Sequence, residues 1–413
     1  MSSLVKKILV IGHVWPEPNS SAAGGRIIQL IKLFFKKNME VIFCSPASET
    51  AFSFHLKTLG ITQYKIKIND SDFDDLLKKI NPDAVLFDRF MTEEKFGWRV
   101  ADVCPKAIRV LDTEDLHFLR YARQKAVLAN IEFNNDLLMN DFAKREIASI
   151  MRSDLSLIIS SFEMNLLQTI FKIDNQLLYY LPFLVDLTQL PICKNHEERN
   201  HFVSIGNFLH EPNKDAVLQL KKNIWPLVRK KLPNAELHIY GAYVPESILQ
   251  LNNPKEKFII KGRAENALNV IADAKVLLAP LRFGAGLKGK LVEAMMCGTP
   301  SVTTSIGLEG MNFKLPWGGE IKDDQYDFAN SAVELYVNQV KWNNSQKNGF
   351  DVLRNFDSSL FESDFLKKIN SIYQNLNKHR NSNFFGAMLL SNQLNSTKYF
   401  SKWIEEKNKK GNP

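Results

Sequence analysis

The residues best equipped for chemistry lie between Val276 and Gly298, VLLAPLRFGAGLKGKLVEAMMCG. A short apolar run, Val276 to Leu281, is long enough for one buried strand. A glycine-rich turn follows from Arg282 to Gly289, and Lys290 to Cys297 reads as a helix closed by Gly298, with Pro300 beyond it. A strand, a glycine loop and a helix start make an anion cradle. Glycine lets the backbone approach, unpaired N–H groups point outward, and the helix dipole favours negative charge. Lys288 and Lys290 add full charges, and Arg282 adds a two-pronged donor. Glu293 follows Lys290 by one helical turn, on the same face, where a carboxylate would accept hydrogen bonds from sugar hydroxyls. The expected ligand is a nucleotide-diphosphate sugar.

Two other readings fit parts of this stretch. Lys290 and Glu293 would also make an ordinary surface pair at i,i+3, with the glycines serving only a turn. Gly284 to Gly289 also matches the G-x-G-x-x-G pattern of dinucleotide folds. That pattern should open a domain and be followed by an acid at the end of the next strand. Here it falls late in the chain, and the next strand ends in Thr304-Ser305. A dehydrogenase is therefore not expected.

The run Arg282 to Gly310, RFGAGLKGKLVEAMMCGTPSVTTSIGLEG, resembles the donor site of family 4 retaining glycosyltransferases of GT-B fold. The resemblance implies an α/β architecture of two Rossmann-like, doubly wound parallel-sheet domains facing across a cleft. It assigns Glu293 to the nucleotide ribose, and Gly284, Gly286 and Lys288 to the diphosphate. Lys290 and Arg282 become the catalytic donors to the departing group. Many members carry another Glu eight residues before the ribose Glu, where this chain has Ala285. Where the family places an Arg and then a Lys on the diphosphate, this chain has Asn207 and Lys214. The nucleobase would pack at Gly262-Arg263. No metal and no cofactor are implied.

The elements that must position these groups can be read in order. Lys7 to Ile11 is a first strand, apolar as a buried parallel strand should be. The loop Gly12 to Ala23 holds two prolines, and Gly24-Gly25-Arg26 opens a helix. By the resemblance, His13, Gly24, Gly25 and Arg26 border the acceptor site, although close helix–strand packing explains the glycine pair equally well. Further strands are expected at Val41 to Cys44, Tyr64 to Ile68, Ala84 to Phe87 and Ala107 to Leu111. Asp70-Ser71-Asp72 precedes a helical run and reads as its cap, not as a metal site. The strand ending at Leu111 delivers Asp112-Thr113-Glu114-Asp115-Leu116-His117 to the edge where doubly wound sheets bind ligands. In family 4 a His or Asp at this place approaches the transferred sugar, which makes Asp112, Asp115 and His117 catalytic candidates. Capping of the next helix is the other use for Asp112 or Asp115. Ser160 to Glu163 resembles the family's V-S-x-x-E turn.

Residues 1–190 are expected to form the acceptor domain and residues 200–355 the donor domain. A helix in residues 356–377 would cross back to the first domain, leaving residues 378–413 as a basic amphipathic tail. The whole chain has 413 residues, 45% hydrophobic and 24% charged, enough for two cores. Cys44, Cys104, Cys193 and Cys297 are isolated, so neither a disulfide framework nor a zinc site is suggested and a reducing cytoplasm fits. No signal peptide or membrane-spanning run is read. Net charge is +8, with seven Lys or Arg against two Glu from Lys378 onward, an imbalance unlike that of a nucleic-acid binder. The aromatic, lysine-rich tail suits the anionic inner face of a membrane, or else packs on the protein itself. The expected function is retaining transfer from a nucleotide sugar to a glycan, lipid-linked or other acceptor in cell-surface polysaccharide synthesis. A nucleotide-sugar epimerase of the same fold and a non-catalytic binding subunit are the alternatives.

Overall fold

The computed structural model describes residues 4–410; the ends of the expected first domain and tail, residues 1–3 and 411–413, lie outside them. The first sheet contains β1 Lys7–Ile11, β2 Glu40–Ser45, β3 Thr62–Lys65, β4 Ala84–Asp88, β5 Ile108–Asp112, β6 Leu155–Ile158 and β7 Leu178–Tyr180. Its order is β3-β2-β1-β4-β5-β6-β7, and every pairing is parallel. The second contains β8 Asn200–Ile205, β9 Leu237–Tyr240, β10 Phe258–Gly262, β11 Ala274–Ala279, β12 Ser301–Thr303 and β13 Gly319–Ile321, ordered β10-β9-β8-β11-β12-β13 and again all parallel. Both are doubly wound sheets covered by helices, the architecture expected from the sequence. β4 and β5 are buried along their whole lengths because helices lie on both faces.

In each sheet the strand order reverses once, between β1 and β4 and between β8 and β11. Loops leaving the carboxyl ends of strands at such a switch point splay apart and leave a crevice. The loops after β4 and β5 and those after β8 and β11 line one shared cavity between the domains.

Most expected elements are present with ends shifted by one or two residues, and two of the differences change which residues are free to act. The first helix is Ala22–Lys36, starting before the glycine pair, because Ser21 caps it by accepting the Gly24 amide at 3.0 Å. The third strand is Thr62–Lys65 and not Tyr64 to Ile68; Ile66 lies just beyond its end and is buried in the core. At the Asp70-Ser71-Asp72 run, Asp70 accepts the Asp72 amide at 2.9 Å as the helix Asp72–Ile80 begins.

The chain leaves the first domain after β7, and Val185 pairs with Asp357 where it returns. The returning helix, Ser359–Gln374, buries Phe365, Ile369 and Ile372 in the first domain's core. Phe365 packs against Phe34 and Tyr179 at ring-centroid distances of 6.0 and 5.4 Å. Burying three such side chains contributes roughly 1.5–3 kcal/mol each, so this helix is an integral layer of the first domain.

The tail is helical too, as Leu376–Asn381 and Phe384–Lys410. Arg380 bonds both Asp154 oxygens at 2.8 Å, and Ser401 donates to Asn69 at 2.8 Å. Arg99 meets Glu405, and Lys398 meets Asp102. These contacts fix one face of the long helix on the first domain. Phe384, Phe385, Met388, Tyr399, Phe400 and Trp403 remain exposed on the other side. No described helix is long and apolar enough to cross a membrane.

Candidate active site

The cavity has a volume of about 390 Å³, within the range of small-molecule sites. Its second-domain wall begins where β11 ends. The turn after β11 passes through Gly284 and Gly286, at φ 154° and 62°, and enters the helix Gly289–Met296. The amides of Leu287, Lys288, Gly289 and Lys290 have no hydrogen-bond partner among the described residues. The helix Ala22–Lys36 approaches from the first domain, and a Cβ on Gly289 would lie 2.7 Å from the Ala22 Cβ. The Ala22 and Ala23 amides are likewise unpaired among the described residues, and both residues line the cavity. Two positive helix ends and their N–H groups, unpaired among the described residues, therefore converge on one space, an arrangement whose electrostatics favour an anion.

Lys290 lines this space and donates to Asn213 Oδ1 at 2.8 Å; Asn213 in turn donates to the Asn207 carbonyl at 2.7 Å. Burial lowers the Lys290 ammonium to about 8, with Glu293 opposing the shift. Lys288 is buried, donates to the Gly286 carbonyl at 2.8 Å, and is also lowered to about 8, mainly by burial. Glu293 lines the cavity with no hydrogen-bond partner among the described residues; burial raises its pKa while Lys290 pulls it down. Asn207 lines the cavity too, its side-chain oxygen accepting the Leu209 amide at 2.8 Å. At the far end Arg263 lies over the Phe52 ring, 4.1 Å from its centroid, beside Ala264 and Ala242.

Four expected donor-wall assignments are corrected. Arg282 turns away from the cavity and forks onto Asp215, with Nε at 2.9 Å from the carboxylate. Lys214 pairs with Glu211 one helical turn away. Gly286 spends its amide on Glu163 at 2.7 Å, so that N–H is not free for an anion. Gly262 lies one residue behind the wall, where its carbonyl accepts the Gly241 amide at 2.8 Å. Gly284 does line the cavity.

The first-domain wall departs further from the sequence reading. Asp112 is fully buried and grips the Arg26 guanidinium at 2.8–3.0 Å, and Arg26 also donates to the Leu181 and Pro182 carbonyls at 2.8 and 3.2 Å. This pair braces the ends of β5 and β7 and does not reach the cavity. Gly24 lies against the Glu17 backbone, 2.5 Å from where its Cβ would be, and Gly25 faces open space. His13 stands off the cavity wall, its amide donating to Asp88 at 2.9 Å. In place of these, Ser20 and Ser21 border the cavity beside Ala22 and Ala23.

Asp115 and His117 do line it. Asp115 holds Arg120 and sits 3.4 Å from His117 Nε2. Burial drives His117 down to about 3, so its imidazole is neutral. Glu114, which is not among the sequence candidates, immediately precedes them. Its φ is 64°, it is buried, it lines the cavity, and its Oε1 has no partner among the described residues. Burial raises its pKa well above the usual carboxylate value, and Asp112 adds to the rise. The one sequence signal for it was its place in a run of acids at a strand end.

Glu163 joins the two walls. Its Oε1 accepts the Leu116 amide at 3.0 Å and the Gly286 amide at 2.7 Å, and burial raises it to about 7. A side chain on Gly286 would stand 2.8 Å from the Asp115 Cβ, so only glycine allows this approach. Arg123 adds a fork onto Glu309 at 2.9 and 2.7 Å and a bond to the Gly284 carbonyl at 2.9 Å. Tyr243 reaches Glu17 at 2.8 Å.

Residues 199–338 match the family model described as glycosyl transferases group 1. No curated protein sequence matches the chain. Among solved structures, the chain is similar to a glycosyltransferase from Rickettsia africae at 12% identity and a TM-score of 0.65, over 90% of this chain and 99% of that one. HepE from Anabaena, solved with UDP and glucose, aligns at 13% identity and a TM-score of 0.66, over 89% and 100%. The pneumococcal O-GlcNAc transferase GtfA, solved with UDP and GlcNAc, gives 13% and 0.65, over 89% and 99%. At these identities the likeness concerns the fold.

Proposed function

We propose that this chain, of GT-B fold and with residues 199–338 matching the glycosyl transferases of group 1, transfers a sugar from a nucleotide-diphosphate donor to a hydroxylated acceptor with retention of configuration. The observation that carries this reading is the convergence of Lys290, the unpaired amides of two helix starts and the free carboxylate of Glu293 on one cavity. The diphosphate lies between the helix ends, and Glu293 accepts hydrogen bonds from the ribose. As the bond from the anomeric carbon to the diphosphate oxygen breaks, negative charge grows on the leaving group. Lys290 and fixed N–H dipoles stabilise that charge without reorganising, which is the largest rate term such a site supplies. Glu114, Asp115 and the neutral His117 face the transferred sugar from the opposite wall.

UDP is the first nucleotide to try, because HepE and GtfA were solved with it. Calorimetry should give saturable UDP binding to the wild type and markedly weaker binding to Glu293→Ala; equal affinities would remove the ribose assignment. The proposed mechanism needs no metal ion. Turnover should therefore survive exhaustive chelation, and its loss with recovery on adding a divalent cation would overturn that part.

The exposed aromatic face of the tail helix, flanked by Lys402, Lys407 and Lys409, fits an anionic membrane surface at the cytoplasmic face, where a lipid-linked acceptor for surface polysaccharide would be met. Co-sedimentation with anionic vesicles should drop when Phe384, Phe385, Tyr399 and Trp403 are changed to Ser together. Unchanged pelleting would end this part.

A further inference from the structure

The first-domain wall holds one cation that donor binding leaves unused. Arg89 follows β4 directly, with φ at 69°, and its side chain lines the cavity at 16% exposure. Its guanidinium makes no hydrogen bond among the described residues. Its ion pair with Asp88 has Nε 3.6 Å from Oδ1, beyond hydrogen-bond range. The other cations that line the cavity are engaged: Arg120 on Asp115, Lys288 on the Gly286 carbonyl, Lys290 on Asn213, and Arg263 on Ser20 at 3.5 Å. Glu114, at the end of the neighbouring strand, offers a buried oxygen with no partner.

A desolvated guanidinium with its fork free, beside an unsatisfied carboxyl, complements a ligand that brings an anion and a nearby hydroxyl. We infer that the acceptor is an anionic carbohydrate, its carboxylate or phosphate taken by the Arg89 fork and a hydroxyl taken by Glu114. This rests on the transferase reading above and names the acceptor class for it. The surrounding imidazoles add no competing charge. His13, His117 and His210 are lowered to about 4, 3 and 4, each chiefly by burial and each also by Arg89.

The test uses the full-length protein saturated with UDP, which fills the donor wall, and titrates it with glucuronate, glucose 1-phosphate and glucose. At least one anionic sugar should bind about tenfold tighter than glucose, as a charge-assisted fork requires. The better of the two identifies the anion as carboxylate or phosphate. Arg89→Gln should abolish the preference, and Arg89→Lys, which keeps the charge without the fork, should retain part of it. If Arg89→Gln fails to fold, the Arg89→Lys titration decides, because a full preference there rules out recognition by the fork. Equal binding of all three sugars overturns the inference. So does a preference that survives Arg89→Gln, or a tenfold loss of UDP affinity in that variant with the preference intact. Failure of the wild type to bind UDP would instead sink the transferase reading.

Discussion

The two walls of the cavity are built in opposite ways. The charged groups and free amides of the second-domain wall come from one continuous stretch, the end of β11 through the helix Gly289–Met296, with the loops after β8, β9 and β10 completing its surface. The first-domain wall is assembled from the ends of β4 and β5, the start of the helix Ala22–Lys36 and the Glu163 turn. In the first, spacing along the chain already dictates which groups share a face. In the second, the ties that settle the wall, Arg26 to Asp112 and Gly286 to Glu163, join residues dozens of positions apart, and only the folded sheet decides which acid is bracing and which is exposed to ligand. A carboxylate in the first domain is as often a structural tie as a chemical tool.

Substitutions should separate those uses, beginning with the largest effect. Asp112→Ala leaves the Arg26 guanidinium buried without its carboxylate, and unfolding by denaturant should show a loss of about 3–5 kcal/mol. A smaller loss would mean that Asp112 is not a brace. Lys290→Ala should keep the fold and lower turnover by about 10²–10³-fold, as for a lost transition-state donor. Glu293→Ala should act mainly on donor affinity, by roughly tenfold, with little change in turnover at saturation. An equal fall in turnover would move Glu293 into the chemistry.

The pH profile sharpens the contrast. Burial lowers Lys290 and Lys288 to about 8, and under the proposed function the protonated form is the one that would hold a diphosphate. Activity should be level below that value and fall as pH rises through it. Lys290→Arg, whose guanidinium stays charged throughout, should abolish the part due to Lys290. At the small end, Arg282→Ala and Lys214→Ala should change donor affinity by less than about twofold, because their surface pairs are worth little. A large effect of either would restore it to the site.

These contrasts explain what could be read from the sequence. The apolar strands, the glycine turn and the helix carrying Lys290 and Glu293 are local patterns, and the chain folds as they imply. The turn residue Arg282 departs from expectation because its partner Asp215 lies on the helix Glu211–Gln219, 67 positions earlier in the chain, where no spacing rule reaches. Arg26 and Asp112 were separately plausible ligand groups; only the pairing of distant segments shows that they satisfy each other. Glu114 and Arg89 escaped because their roles depend on positive φ values that non-glycine residues adopt only under tertiary constraint. The start of the first helix was missed by a few residues because Ser21, not the glycines, sets it.

The Arg123–Glu309 fork, together with the Glu163 and Tyr243 bonds, ties the first domain to the second at three separate points. Under the proposed function, lobes clasped in this way would have to unfasten before spent nucleotide could leave. Opening rather than bond-breaking would then set the pace of each cycle. Turnover should accordingly slow as solvent viscosity rises, and loosening the clasp with Glu309→Gln should blunt that dependence.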